Sequence, residues 1–360
     1  MTLPSAAPSL TAWPWPFTRA DLTAGLRRLL VDPTIQIQEA RLATLPFHKP
    51  AIGRVRGLAV ETSGRRGDTS ILLAVKEAVG TTRIGLAGVG RREAGVYRYL
   101  VPQGPMRAPR LVAASPAGHW LVLEAIPLGK NPARWSHGDY RSALVALAEL
   151  HDRFWGLGDD LNTFPWLSRP LDTDFEVHVA AAAHAIEHIV EHGSPASIAG
   201  APSRLEMLAR LTARAEEIIA PLRAEPATLL HGDYWAGNIA VQTDGTQIVY
   251  DWQLTGVGPA VLDVVNFVKK SEWWFGALPI SPADLAGIYR NEIARRPGIT
   301  WPDEDWDRIW DHALMWRFLQ EWLDLLAAIP EALLLTSAEQ LDRVWLDPVE
   351  AAIHRRLASP

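Results

Sequence analysis

The sequence predicts an α+β protein of two lobes, a small antiparallel β-sheet lobe followed by a larger helical one. Three observations carry that expectation. At 360 residues the chain is long for a single hydrophobic core. Up to about residue 126 the apolar residues form short strand-like runs, and beyond it they recur at the 3.6-residue period of helices. Only 227–252 interrupts that helical texture, with short strands. The expected division is residues 1–123 and residues 124–360.

Each element has its own signal. "FTRADLTAGLRRLL" (17–30) has helical spacing, with Thr18 placed to cap it. Three segments with strand character follow: "TIQIQEARLAT" (34–44), "GRVRGLAVET" (53–62) and "TSILLAVKEA" (69–78). "SGRRGD" separates the last two and predicts a hairpin. "GRREAGVYRYLV" (90–101) reads as a helix with Val96, Tyr97 and Leu100 on one side, and "APRLVAAS" and "GHWLVLEAI" (118–126) as two more strands across the turn "PAG". Helices are expected over 139–157, 172–193 and 202–224, and again over 259–275, 282–295, 304–328 and 337–357. No internal repeat is present.

Composition narrows the function. The formal net charge of −6 and a pI near 6.0 recommend neither a nucleic-acid nor an anionic-membrane partner. With no cysteine there is no disulfide, no cysteine-ligated metal and no cysteine nucleophile. The first residues lack a basic leader and are broken by prolines, and no run is long enough to span a bilayer, so a cytoplasmic protein is the expectation. Tryptophan is abundant at 16 residues, and lysine is scarce: only Lys49, Lys76, Lys130, Lys269 and Lys270 occur.

The chemistry concentrates in "LLHGDYWAGNIAV" (229–241) and "IVYDWQLTGVG" (248–258). The first places His231, Asp233 and Asn238 within eight positions, and the second places Asp251 thirteen residues beyond Asn238. The turn "TDGT" (243–246) lets the two form a hairpin that brings Asn238 near Asp251. A carboxylate to take the proton of an attacking hydroxyl, and a second carboxylate with an amide oxygen to hold Mg²⁺ on nucleotide phosphates, suit phosphoryl transfer. The alternative is a polar β-turn, which uses the same residue types. The spacing together with the second strand ending in Asp-Trp weighs against it.

"HGDYWAGN" followed by "VYDW" resembles the aminoglycoside phosphotransferase and choline kinase group, whose fold is protein-kinase-like. The resemblance spans nearly the whole chain. It implies a small-molecule kinase in which residues 1–123 form the nucleotide-binding lobe and residues 124–360 the catalytic and substrate lobe. It implies Asp233 as catalytic base, Asn238 and Asp251 as Mg²⁺ ligands, and His231 and Asp263 as residues that brace the loop. The cofactors implied are Mg²⁺ and ATP, with GTP an alternative. The partners are that nucleotide and a small hydroxyl-bearing acceptor, with no protein partner.

The upstream lobe then owes the phosphates a lysine and that lysine a glutamate. Lys76, near the end of "SILLAVKEA", has the strand context, and Lys49 in the preceding loop is second. Glu93 begins the next helix and resembles the family's ion-pair glutamate, while Glu77 points to the opposite face of the strand from Lys76. Snorkelling for Lys76 and a dipole-stabilising surface position for Glu93 are the plainer alternatives. "HWLVLEAIPLGKNP" resembles the hinge between lobes and would set backbone groups of Glu124, Ala125 and Ile126 at the purine, and His151 in "ALAELHDRFW" reads as a packing histidine. Two departures separate the chain from protein kinases. No glycine-rich loop appears, the segment 45–53 being the candidate cover for the phosphates, and Gly232 stands where the catalytic-loop arginine would be.

The acceptor should lie beside Asp233. Trp235, Glu272, Trp273 and Trp274 are the candidates for its rim, since tryptophan faces and carboxylates suit cationic or sugar-like molecules. Tyr234 shares with Trp235 the variable part of the motif. Aminoglycosides, amino sugars, plain sugars and amino alcohols all fit. A nucleotide-binding pseudokinase with a regulatory role is the alternative, although it need not keep Lys76, Asp233, Asn238 and Asp251 together. A histidine-based hydrolase lacks its metal-binding pattern here.

Overall fold

Helix α1 (Arg19–Leu30) begins where the sequence places a capping threonine. Thr18 Oγ1 accepts the Asp21 N–H at 3.1 Å, and the Asp21 carboxylate accepts the Thr18 N–H at 2.9 Å, a reciprocal cap worth about 1 kcal/mol. The computed structural model describes residues 13–45, 53–78, 86–296, 298–329 and 337–357.

Five strands follow: β1 (Gln36–Ala43), β2 (Arg54–Gly64), β3 (Gly67–Glu77), β4 (Leu111–Ala114) and β5 (Trp120–Glu124). They form one antiparallel sheet in the order β1-β2-β3-β5-β4. The β2–β3 hairpin turns through Arg65 and Arg66 between the paired Gly64 and Gly67. Leu22 and Leu26 of α1 meet Leu58, Val60, Leu73, Val75 and Val122 of the sheet in a first hydrophobic core. Full burial of each such side chain contributes roughly 1.5–3 kcal/mol. Between β3 and β4, α2 (Val89–Gly95) runs on into a π-helical turn over Val96–Leu100.

The remainder is mostly helical. Helices α3 (His137–Arg153), α4 (Phe175–His192), α5 (Pro202–Ala213) and α6 (Ala215–Arg223) precede two small antiparallel pairs. Strand β6 (Ala227–Leu230) pairs with β9 (Gly256–Pro259), and β7 (Ile239–Val241) with β8 (Gln247–Val249). Then come α7 (Val261–Phe275), α8 (Pro282–Ile293), α9 (Asp303–Arg317), α10 (Leu323–Ala328) and α11 (Asp347–Arg356). Much of the tryptophan goes into the core of this part: Trp252, Trp316, Trp322 and Trp345 are fully buried.

Two expectations change. The helix expected over 202–224 breaks at Arg214, whose backbone leaves the helical region while its guanidinium reaches the Leu357 carbonyl and Glu217. The one expected over 304–328 contains a π-helical turn, Phe318–Trp322. One strand, β9, had no sequence signal. "GVGP" carries no alternating pattern, and its pairing with β6 makes it a strand. Among the described residues no helix is long and apolar enough to cross a membrane.

Candidate active site

The loop between β6 and β7 is built on α7. Asp263, in the first turn of α7, accepts the N–H groups of His231 at 2.7 Å and Gly232 at 2.9 Å. His151 Nε2 lies 3.4 Å from the same carboxylate and its Nδ1 lies 2.7 Å from the Tyr289 hydroxyl. Burial works against the Asp263 charge, but these donors outweigh it and hold the carboxyl below its ordinary range. Gly232 has φ +81°, and a Cβ there would stand 1.9 Å from the Leu254 carbonyl oxygen, so only glycine fits.

His231 is fully enclosed. Its Nδ1 accepts the Asp233 N–H at 3.2 Å, which makes Nε2 the donor to the Tyr250 carbonyl at 3.1 Å. Burial lowers its pKa and keeps the ring neutral. Both nitrogens are spent on backbone, so the ring shapes the loop.

Asp233 is buried. Oδ2 accepts Asn238 Nδ2 at 2.9 Å, and the same amide also donates to the Asp233 carbonyl at 2.9 Å. That orientation commits the amide NH₂ of Asn238 and leaves its oxygen for another partner. The Asn238 carbonyl accepts the Tyr250 N–H at 3.1 Å, which ties Asn238 to the residue before Asp251. Asp251 itself sits in the left-handed region, φ 65° and ψ 55°. A residue with a Cβ loses roughly 1–2 kcal/mol there, although aspartate tolerates it better than most.

Lys76 joins the sheet to this loop. Its Nζ lies 2.5 Å from Asp251 Oδ1 and 2.7 Å from Glu93 Oε2 on α2. Burial disfavours the ammonium, but the two carboxylates overcome that and raise its pKa above the usual lysine range. Burial likewise pushes Glu93 up to about 7, opposed by Lys76 and reinforced by Asp251. Two carboxylates share one cation. Glu77, on the other face of β3, is held by Arg54 and Arg56 instead.

Other expected site residues are placed less centrally. The Glu124 amide donates to the Arg110 carbonyl at 2.9 Å and the Ala125 amide to the Leu72 carbonyl at 3.1 Å. Of the three N–H groups in 124–126, only that of Ile126 has no backbone partner among the described residues. The Glu124 carboxylate pairs with Arg110. Trp235 and Trp274 lie near each other, ring centroids 6.1 Å apart, and Phe275 stacks on Trp235 at 5.7 Å. The Trp235 ring lies across Gly237, where a Cβ would come within 2.2 Å of it. Trp274 is half exposed.

Glu272 and Trp273 do not reach this rim. Both are buried on other faces of α7, Glu272 on Arg343 at 2.5 Å and Trp273 against Trp322, because consecutive helical residues point about 100° apart. Tyr234 is likewise fully buried, its hydroxyl donating to the Ala143 carbonyl at 2.8 Å. Lys49 and residues 46–52 of the proposed phosphate cover lie outside the described residues.

Three neighbours of Asp233 escaped the sequence reading: Lys270, Glu321 and Arg317. Lys270 Nζ is 2.5 Å from Asp233 Oδ1 and 2.8 Å from Glu321 Oε1. Arg317 donates to Glu321 Oε2 at 2.6 Å, to Asn266 Oδ1 at 2.8 Å and to the Gly232 carbonyl at 3.1 Å. The signal lay in α7, where Asp263, Asn266 and Lys270 recur at i, i+3 and i+7 as a polar stripe on a largely apolar helix. Beneath the loop a cavity of about 60 Å³ is lined by Gly232, His178, Arg317, Glu321 and Asp324.

Asn238 and Asp251 offer an amide oxygen and a carboxylate, hard donors in the small number that Mg²⁺ takes when phosphates and water complete its shell. Among the described residues no three acidic or histidine side chains form a self-sufficient metal cluster. Lys76, held by Glu93 and Asp251, could grip a polyphosphate, and Asp233 could orient a hydroxyl.

A family model described as "Phosphotransferase enzyme family" matches residues 81–308. No curated protein sequence matches. The chain is similar in structure to amicoumacin kinase hAmiN in complex with AMP-PNP, Ca²⁺ and Ami, at 12% identity over 91% of this chain and 92% of that one, with a TM-score of 0.52. It is similar to spectinomycin phosphotransferase APH(9)-Ia in complex with ADP and spectinomycin, at 13% identity over 94% and 99%, with a TM-score of 0.50. An aminoglycoside-3'-phosphotransferase of type VIII aligns at 20% identity over 83% and 98%, with a TM-score of 0.46. The fold is α+β, bilobal and protein-kinase-like.

Proposed function

This chain belongs to the phosphotransferase enzyme family, and from that premise we propose that it moves the γ-phosphoryl group of ATP or GTP to a hydroxyl of a small molecule. Asp233 is the base in this reading. It accepts the proton of the acceptor hydroxyl as the new oxygen–phosphorus bond forms, and the nucleoside diphosphate leaves. Lys76, oriented by Glu93, binds the α- and β-phosphates, and the purine docks along 124–126 with the Ile126 N–H as donor. Asn238 and Asp251 would hold Mg²⁺, which when bound neutralises phosphate charge. Residues 1–123 serve as the nucleotide lobe and 124–360 as the catalytic and acceptor lobe.

The observation that carries the reading is the linkage of Lys76, Glu93 and Asp251 to Asp233 and Asn238 through the Asn238–Tyr250 backbone bond. Aminoglycosides, amino sugars, sugars and amino alcohols are the acceptor classes to examine. Trp235 and Trp274 supply stacking faces for them.

The test is nucleotide consumption across a panel of those four classes, with wild type, Asp233→Ala and Asp251→Asn. We expect one class to raise turnover in wild type, and both variants to lose at least about 100-fold of it. Equal rates in wild type and Asp233→Ala, with nucleotide still bound, would replace this reading by that of a nucleotide-binding pseudokinase.

A further inference from the structure

Lys270 is partly buried on α7 and spends its charge on the proposed base. Its Nζ contacts Asp233 Oδ1 at 2.5 Å and Glu321 Oε1 at 2.8 Å, and lies 5.6 Å from the centre of the Trp235 ring. Its neighbour Lys269 turns away, 3.8 Å from Glu272. Burial opposes the Lys270 charge, but Asp233 and Glu321 outweigh it and push the ammonium up to about 12, so it stays charged at any working pH. Glu321 is fixed in turn by Arg317, which also holds the Gly232 carbonyl. The ammonium is thereby pinned from α7, from the π-helical turn and from the catalytic loop together.

The geometry around Asp233 decides what that pinned charge can touch. Asn238 occupies Oδ2, and Lys270 takes one lone pair of Oδ1. An acceptor hydroxyl donating to the remaining lone pair of Oδ1, at about 2.7 Å, would stand roughly 4.5 Å from Nζ. An oxygen of a phosphoryl group being received by that hydroxyl then falls within hydrogen-bond reach of the ammonium.

We infer that Lys270 is a further catalytic residue, one that donates to an oxygen of the phosphoryl group in flight while Glu321 holds it in place. This rests on the phosphotransferase reading above. In the step, the acceptor oxygen bonds the γ-phosphorus and its proton passes to Asp233. The bond from γ-phosphorus to the bridging oxygen breaks, and the electron pair leaves with the nucleoside diphosphate. Lys270 exchanges no proton. It stabilises charge that is spread over the phosphoryl oxygens in the transition state, the place where a fixed donor has its largest effect on rate. Lys76, held by Glu93 and Asp251, serves the ground-state polyphosphate.

The experiment uses the full chain as wild type, Lys270→Met, Lys270→Arg and Asp233→Ala. Turnover of Mg-ATP is measured with the acceptor found in the panel, or with water as acceptor where none is found. Calorimetry measures binding of Mg-ADP alone and of Mg-ADP with fluoroaluminate, a mimic of the phosphoryl in flight. Lys270→Met should lower kcat about 100-fold with nucleotide KM within about threefold. It should bind Mg-ADP as wild type does, yet lose at least tenfold of the extra affinity that fluoroaluminate adds. Lys270→Arg, which keeps the charge and so guards against a variant that does not fold, should recover about tenfold of the lost kcat. A purely structural lysine would shift the melting temperature and KM while leaving the fluoroaluminate increment intact. Lys270→Met turning over within threefold of wild type with a full increment overturns the inference. If wild type itself neither binds Mg-ADP nor turns over nucleotide, the phosphotransferase reading falls, and this inference with it.

Discussion

At the scale of single residues, the arrangement separates charges that act from charges that hold. His231 and Asp263 are saturated by backbone and cannot move a proton without breaking the loop. His178 is a different case. It is buried in the cavity wall beneath Gly232, neither ring nitrogen has a hydrogen-bond partner among the described residues, and its edge meets Trp316. Burial lowers its pKa to about 4, with Arg317 and Arg92 adding to that and Asp174 opposing it. The folded chain therefore binds fewer protons than the unfolded one between pH 4 and 6.5. The stability that follows is full above pH 6.5 and is lost as pH falls toward 4, by about 3 kcal/mol at most. His178→Phe should flatten that part of the acid limb in urea titrations at pH 7, 6, 5 and 4, and an unchanged slope would show the ring to be solvated. The proximity of the motif's groups was legible because one short hairpin carries them, and the fold does set Asn238 on Asp233 and on the residue before Asp251. Lys270, Glu321 and Arg317 were not, since they come from 37 to 88 residues downstream of Asp233 and only the packing of α7 against α9 brings them in.

At the scale of elements, α7 does most to shape the site. Its first turn supplies Asp263 to the loop, its second supplies Asn266 to the Tyr234 carbonyl at 3.2 Å, and its third supplies Lys270 to Asp233. Asp263→Ala would leave two buried N–H groups, of His231 and Gly232, without their acceptor. We expect it to destabilise the chain by about 2–4 kcal/mol, read as a lower urea midpoint, and to reduce turnover well beyond what that loss of folded protein explains. Wild-type stability would mean that water replaces the carboxylate. Long elements were readable from the sequence because their periodicity records which face is buried: β2, β3 and α3 lie within a few residues of expectation. Strand β9 and the π-helical turns were not readable, because partners elsewhere in the fold create them.

At the scale of the whole molecule, two cores meet across a set of charges. One core joins α1 to the sheet, the other joins the helices to β6–β9, and the second also takes in Leu121 and Leu123 of β5 and Tyr97 and Leu100 beside α2. Lys76, Glu93 and Asp251 span that junction. A nucleotide seated there touches both cores and should stabilise both together. At about 100 times its Kd, Mg-ATP should add about 2.7 kcal/mol in a single cooperative transition. Lys76→Met should lose most of that increment. Two separated transitions, one of them insensitive to nucleotide, would place the binding site within a single lobe.

Asp251 has a further consequence for the whole chain. It is one of two non-glycine residues with positive φ among the described residues, and it stands where the chain turns from β8 toward β9. Glycine at 251 would relax that backbone, and Lys76 would keep Glu93 as its partner. Asp251→Gly should therefore melt later than wild type, by about 1 kcal/mol, and transfer no phosphate. Heat resistance and activity pull in opposite directions at this position, so a library of variants sorted by thermostability alone would enrich dead enzyme here.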